Sequence, residues 1–324
     1  MKDTQHLIDV ATRALPLWGL EGADLHLVAQ RENAVFKVSY EGVQYALRLH
    51  RPGYQTPAAM ASELAWMHSL AQTGVQVPAP IATASAAKKQ TELLVEREGF
   101  HIDLLTWLYG RPMGQTGAAL ELDDRYGTFA AIGEMMARLH EQADIWQRPA
   151  GFERMAWDQQ GLLGEQPLWG RFWENSNIPE DLRTDINAAR EQALQILQSE
   201  ELDYGLIHAD LVRENILIAE DGLQLIDFDD SGFGYRLFDV ATTLSKNWQE
   251  NDADALQAAF IEGYERIRTL QWQYLPLFTM LRAFTYVGWI VPRIEEPGSD
   301  VRQERFFNQA RLAISDFQKM SSGN

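Results

Sequence analysis

Asp210, Asn215 and Asp227 stand within one stretch, residues 205–232, GLIHADLVRENILIAEDGLQLIDFDDSG. GLIH reads as a short buried strand. ENILI and GLQLIDF read as two strands rich in branched apolar residues, joined by a hairpin turn at Asp221-Gly222. A hairpin returns the chain beside itself. Asn215, entering the first strand, is therefore expected near Asp227, which leaves the second, with Asp210 on the loop just before. Oxygen-only ligands of this kind suit Mg²⁺, which prefers carboxylates together with water and substrate phosphates. The plainer alternative is an acidic hairpin whose carboxylates are simply solvated.

The order and spacing HADLVREN, then IDFD, resemble the catalytic loop and metal motif of the protein-kinase-like fold, H-x-D-x-x-x-x-N followed by D-F-G. The stretch is most similar to the aminoglycoside phosphotransferase and choline kinase superfamily, in particular the branch labelled type II homoserine kinase. The resemblance implies an α+β, two-lobed fold. A small antiparallel-sheet lobe, residues 1–109, would bind ATP, and a larger, mainly helical lobe, residues 110–324, would carry catalysis and the acceptor. It implies Asp210 as the base for the acceptor hydroxyl, and Asn215 and Asp227 as ligands of magnesium on the ATP phosphates. His208 and Asp239 would support the loop structurally, and Asp229 is a candidate supplementary magnesium contact.

Departures from the protein kinase pattern begin upstream. No G-x-G-x-x-G precedes the first strands, only QRENAVFKV, which resembles a shorter phosphate loop with Asn33 at its turn. The strand YALRL places Arg48 where a Lys is usual, and its planar fork can still clamp phosphate oxygens. Glu63, early in the next helix, is the expected ion-pair partner of Arg48; the alternative is a solvated surface pair. By resemblance, the backbone at Thr106, Trp107 and Leu108 would meet the adenine, though both large side chains also suit plain core.

The elements that must hold these residues follow from periodicity. Residues 4–18 have helical apolar spacing, with Thr4 as N-cap and Pro16 ending the regular part. LHLVAQ, NAVFKVSYEG and VQYALRLH alternate as three antiparallel strands with a turn at Glu41-Gly42, and ASELAWMHSLAQTG follows as a helix. VQVPAP is extended, ASAAKKQTE reads as a loose turn, and TELLVE and FHIDLLTWL as two more strands. Beyond Asp123 the chain turns helical, with Phe129, Ile132, Met136 and Leu139 on one stripe. His140 ends that stripe as a packing residue. Residues 152–174 lack a clean period. Residues 180–199 and a segment from near Asp239 are further helices. Arg282, Tyr286, Trp289 and Arg293 share one helical face, which could line an acceptor pocket or be core.

The 324 residues, 46% hydrophobic and 23% charged, suffice for two cored lobes. The absence of cysteine excludes disulfides, thiolate catalysis and Cys-ligated zinc. MKDTQHLIDV shows no signal-peptide pattern, and LPLFTMLRAFTYVGWIVP, interrupted by Arg282, suits a buried helix better than a membrane span. A soluble cytoplasmic protein without a membrane partner is expected. Residues 1–105 carry 9 basic and 11 acidic side chains, residues 106–324 carry 19 and 35. That field disfavours nucleic acid. It would attract a cationic acceptor, or merely confer solubility.

Only eleven residues separate Asp227 from Asp239, too few for an activation segment that would cradle a peptide. Val212 also stands where protein kinases carry a Lys, with Arg213 next. The expected activity is ATP- and Mg-dependent phosphoryl transfer to a small-molecule hydroxyl acceptor: homoserine, an amino alcohol, an aminoglycoside or a sugar. An unconventional stress-response protein kinase is the alternative. A catalytically silent nucleotide-binding protein is a third reading, disfavoured because Asp210, Asn215 and Asp227 are all present.

Overall fold

The structure is a computed structural model describing residues 4–30, 33–84 and 92–322. The chain divides into two compact units, the first Met1–Arg111, Trp146–Arg154 and Leu217–Asp229, the second Pro112–Ile145, Met155–Ile216 and Asp230–Asn324.

In chain order, the first unit opens with α1 (Thr4–Ala14), which passes into a 3-10 turn over Leu15–Trp18 where Pro16 interrupts the helical bonding. Leu7, Val10, Ala11 and Ala14 are its buried stripe. They pack into one core with Phe36, Val38, Leu47 and Ile102, each large side chain contributing about 1.5–3 kcal/mol relative to exposure. Strands β1 (Asp24–Gln30), β2 (Ala34–Tyr40) and β3 (Val43–Leu49) follow as an antiparallel meander. The β2–β3 loop is two residues, Glu41 and Gly42, at φ 48° and 82°. Both lie left-handed, which matches the strand twist. Helix α2 (Pro57–Gln72) is capped by the Thr56 hydroxyl, accepting from Ala59 N at 3.0 Å. Strands β4 (Val95–Arg97) and β5 (Phe100–Thr106) complete a sheet of order β1-β2-β3-β5-β4.

The expected strand over TELLVE is shorter than its apolar run. Glu92 instead exchanges bonds with Thr83, accepting from its N at 2.9 Å and donating to its Oγ1 at 3.2 Å. Most of the loose turn expected before it, residues 85–91, lies outside the described residues, as do Arg31 and Glu32 of the expected phosphate loop.

After the short β6 (Arg111–Pro112) comes α3 (Arg125–Ile145), then β7 (Ala156–Trp157), α4 (Gln159–Leu163), α5 (Glu180–Ser199) and β8 (Tyr204–Ile207). The hairpin β9 (Ile216–Ala219) and β10 (Gly222–Leu225) precedes β11 (Gly232–Tyr235) and the helices α6 (Arg236–Ser245), α7 (Ala253–Glu265), α8 (Leu275–Trp289) and α9 (Ser299–Ser322). In the second unit β11 lies between β7 and β8, parallel to one and antiparallel to the other. α3 and α7 cross backbone to backbone. A Cβ on Gly133 would fall 2.0 Å from Phe260 O, and one on Gly263 1.8 Å from Ala130 O. The stripe of α3 is buried as expected, and so is most of α8. Among the described residues no helix is long and apolar enough to cross a membrane.

The expected strands of the central stretch are each cut short at the residues of interest. Arg213–Asn215 form a 3-10 turn, with Asn215 N bonded to Val212 O at 3.0 Å, and β9 begins only at Ile216. β10 ends at Leu225, and Asp227 sits at φ 68°, outside strand conformation. The fold class is the expected one: α+β, with an antiparallel sheet in the first unit and a mainly helical second unit.

Candidate active site

The loop after β8 is built around Asp239, in the first turn of α6. Its Oδ2 accepts from His208 N at 2.9 Å and its Oδ1 from Ala209 N at 2.8 Å. Ala209 is held at φ 65°, a left-handed setting that costs a residue bearing a Cβ about 1 kcal/mol. A carboxylate that accepts two successive amides fixes that setting. Burial opposes the charge on Asp239, but hydrogen bonds and neighbouring histidines hold its pKa below the ordinary value. His140 Nε2 lies 3.1 Å from Asp239 Oδ2 and its Nδ1 2.8 Å from the Tyr264 hydroxyl. Burial, and then Arg236, bring the His140 pKa down to about 4. It is a neutral imidazole at pH 7, donating Nε2–H to the carboxylate and accepting at Nδ1. It is structural, as its place on the helix stripe suggests.

The same loop presents Asp210. Asn215 Nδ2 donates to Asp210 O at 2.8 Å and to Asp210 Oδ2 at 3.2 Å, which turns the Asn215 Oδ1 to the opposite side. Asp210 N approaches His208 Nδ1 at 3.4 Å, and Thr243 donates to Leu211 O at 2.7 Å. Arg213, next to the Val212 that replaces a Lys, is buried. It is spent on structure, donating at 2.8 Å to each of Asn247 Oδ1, Ala118 O and Glu250 Oε1.

From the face expected on α8, Arg282 and Tyr286 converge on this loop. Arg282 Nη2 donates to Asp210 Oδ1 at 2.7 Å and to the Tyr286 hydroxyl at 2.7 Å. Its guanidinium carbon stands 4.6 Å from the centre of the Trp169 ring. Burial works against its charge, yet Tyr286 and Asp210 keep it above its ordinary pKa. Trp289, covered by the Arg293 guanidinium at 4.0 Å, has its ring centre 6.4 Å from those of both Trp169 and Phe306.

In the first unit Arg48 is the centre of a buried ionic cluster. Glu63 accepts from its Nη1 at 2.9 Å, the partner expected from the sequence. The stronger hold is Asp103, directly opposite Arg48 across β3 and β5. It accepts from Nε at 2.9 Å and Nη2 at 2.8 Å, and also contacts His50 Nε2 at 2.6 Å. Burial would push the Asp103 carboxyl up, but Arg48 and His50 pull it down to about 2. Asp229 is the third carboxylate, 3.4 Å from Arg48 Nη1 and bonded through its other oxygen to Asn33 Nδ2. Burial, then the nearby Glu63, raises its pKa. Arg154 ties the cluster together, reaching Glu63 Oε2 at 3.2 Å, Phe228 O at 3.0 Å and Asp229 O at 2.6 Å. Sequence reasoning missed Asp103, His50 and Arg154. An aspartate inside the apolar run FHIDLLTWL was the one visible signal.

At the end of β5, Thr106 N donates to Ala79 O at 2.9 Å and Trp107 N to Gln44 O at 3.4 Å, so both amides serve the fold. Asn33 Oδ1 accepts from Arg51 N at 3.0 Å. Among the described residues no group of three or more His, Asp or Glu side chains could by itself hold a metal. Taken singly, Asn215 carries an amide oxygen and Asp227 a carboxylate, the kinds of oxygen donor that suit magnesium, which keeps waters and takes phosphate oxygens.

Known proteins resemble this chain in sequence and fold. Residues 25–275 match the model of the phosphotransferase enzyme family. A homoserine kinase of Janthinobacterium sp. is 27% identical over 69% of this chain and 66% of its own. An amicoumacin kinase of Bacillus subtilis is 24% identical over 75% of this chain and 69% of its own. Among solved structures, a microcompartment-associated aminopropanol kinase superposes with TM-score 0.79 and 27% identity, covering 97% of this chain and 98% of that one. The chain belongs to the phosphotransferase enzyme family.

Proposed function

We propose that the protein transfers the γ-phosphoryl group of ATP to a hydroxyl of a small molecule. The observation that carries this is the Asp210–Asn215 loop, with its strained Ala209 pinned by the forked Asp239 carboxylate. Such a setting is retained where it positions reacting groups. Asp210 orients the acceptor hydroxyl and takes its proton. The acceptor oxygen bonds to the γ-phosphorus, the bond from that phosphorus to the β,γ-bridging oxygen breaks, and ADP leaves. Arg282 aims the Asp210 carboxylate through Oδ1, while Asn215 supports Oδ2. Asn215 and Asp227 are the residues that would hold magnesium, which when bound offsets phosphate charge.

Arg48 reads here as an organiser that can also reach a phosphate. Its contact to Asp229 is the longest of its set at 3.4 Å and the one a phosphate oxygen would displace. Asp229, held by Asn33 and Arg48, is read as the partner of Arg48 rather than as a metal ligand. The Leu108 backbone is the adenine contact we favour, since the Thr106 and Trp107 amides are already engaged. The similarity to proteins named for homoserine, amicoumacin and aminopropanol supports an acceptor among small hydroxyl compounds.

The test is ADP release with and without magnesium across hydroxylated amino acids, amines and sugars, with a generic protein substrate alongside. Turnover should require magnesium and one small acceptor. Asp210→Asn should lower kcat about a hundredfold or more while ATP still binds. Phosphorylation of protein alone, or no magnesium-dependent turnover with any acceptor, would reverse the reading.

A further inference from the structure

Beside the Asp210 loop the second unit has a small open cleft, lined among others by Thr116, Gly117, Lys246, Arg305 and Gln309. Two of these are basic side chains with no ion pair among the described residues. The Lys246 ammonium lies 3.8 Å from the centre of the Tyr286 ring, and among the described residues it has no hydrogen bond or ion pair. Arg305 rests 5.3 Å from the Phe306 ring and likewise has no carboxylate partner among the described residues. Its Nη1 passes only 3.0 Å from where a Cβ on Gly117 would be, and Gly117 stands at φ 87°. Here a glycine leaves room for the guanidinium.

The carboxylates that act most strongly on Lys246 are Asp210 and Glu214. Both are committed elsewhere. Glu214 accepts from Thr116 N at 2.6 Å and Thr116 Oγ1 at 3.0 Å. Asp210 holds Arg282 and Asn215. Arg282, its guanidinium carbon 4.5 Å from the centre of the Tyr286 ring, is fully buried, and among the described residues its Nε and Nη1 have no hydrogen-bond partner. Burial, and then the neighbouring Arg282, depress the Lys246 pKa to about 7. Lys246, partly protonated at pH 7, and Arg305 therefore put positive charge at one wall of the acceptor side with no carboxylate bonded to either among the described residues, in a chain whose net charge is −18. Long-range acidity would favour a cationic acceptor, but it is screened beyond about 10 Å, so the cleft's own charges decide what it holds.

We propose that this cleft binds a carboxylate of the phosphoryl acceptor through Lys246 and Arg305, so that the acceptor is a hydroxylated carboxylic or amino acid rather than a simple amino alcohol. The proposal rests on the phosphotransferase reading and deepens it. Two cationic donors facing one carboxylate form charge-assisted hydrogen bonds, the strong class. Gln309, buried on the same wall, adds a neutral polar lining.

Matched acceptors that differ only by the carboxylate test it: homoserine against 3-aminopropanol, and 4-hydroxybutyrate against 1-propanol, with kcat/KM measured for each. The carboxylate member should be preferred about tenfold or more. Lys246→Gln and Arg305→Gln should each shrink that ratio about tenfold, chiefly through KM. The preference should also fade as pH rises through about 7, where Lys246 loses its proton among Asp210, Glu214, Arg282 and Arg305. Equal or better turnover of the decarboxylated members overturns the proposal and leaves the phosphotransferase reading standing. So does a loss confined to ATP affinity in the Lys246 variant, which would assign the cations to the nucleotide. Should no acceptor turn over, calorimetric titration of 4-hydroxybutyrate separates the two ideas. Binding abolished by Lys246→Gln sustains the anion site alone, and no binding ends it.

Discussion

Arg282 holds Asp210 through one Nη2–H to Oδ1 at 2.7 Å, while its Nε and Nη1 are buried without partners among the described residues. A guanidinium kept for stability alone would not leave two donors unpaired, since each buried unmet donor costs about 1–3 kcal/mol. Replacing a buried charge with an apolar side chain of similar volume is often neutral or stabilising. Arg282→Met should therefore leave the melting temperature unchanged or higher, and still lower kcat by about tenfold or more, because the Asp210 carboxylate loses its guide. A variant that melts earlier with an unaltered kcat would make Arg282 a structural residue.

How far this was legible in the sequence depends on the range of each interaction. The Asp210–Asn215 loop, Asp239 and the Arg48–Glu63 pair follow from motif order and short spacing. Asp103 pairs with Arg48 only through the β3–β5 register, and register is set by which face of each strand meets the core. Lys246 lies at the end of α6 and Arg305 within α9. Helical periodicity identifies a face but not which two faces share a cleft. The same limit applies to Gly133 and Gly263, whose close crossing has no local signature. The strand ends were misjudged for a different reason. An apolar run ignores the turn at Arg213–Asn215 and the left-handed φ of 68° at Asp227.

Asp103 makes the Arg48 cluster a pH-sensitive element of the first unit. Its folded pKa of about 2 lies below the ordinary carboxyl value. Its contribution is therefore present above about pH 4 and lost as pH falls towards 2, about 2 kcal/mol in all. His50 acts in the opposite sense: its pKa is raised, so its contribution is present at acid pH and disappears as pH rises through the folded value. Asp103→Asn should destabilise the protein at pH 7 by about 3 kcal/mol and flatten the acid arm of stability against pH in urea titrations. An unchanged acid arm would remove Asp103 as its source.

Arg48 itself can be probed by conservative exchange. Arg48→Lys keeps the charge but cannot bond Asp103 through two donors at 2.8 and 2.9 Å while also reaching Glu63. It should raise the KM for ATP several-fold and lower stability. Glu63→Gln should affect stability alike but ATP less, because Arg48 keeps its Asp103 anchor. Identical ATP affinity in all three proteins, measured by calorimetry, would confine Arg48 to the fold.

The last relationship is between Asp239 and the backbone it constrains. Asn at 239 keeps one acceptor oxygen but turns an NH₂ towards either His208 N or Ala209 N, leaving a buried amide unmet at about 1–3 kcal/mol. With that bond gone, Ala209 can relax from φ 65° to a right-handed setting and carry Asp210 out of line. Asp239→Asn should thus lower kcat by about tenfold or more with little change in the KM for ATP. Glycine occupies the left-handed region without penalty. Adding Ala209→Gly to Asp239→Asn should therefore restore part of the lost kcat, although the same glycine in the wild type gains nothing and gives up a buried methyl. The double-mutant cycle in kcat is the measurement. Strict additivity of the two substitutions would show that Asp239 acts other than by holding Ala209 in its strained turn.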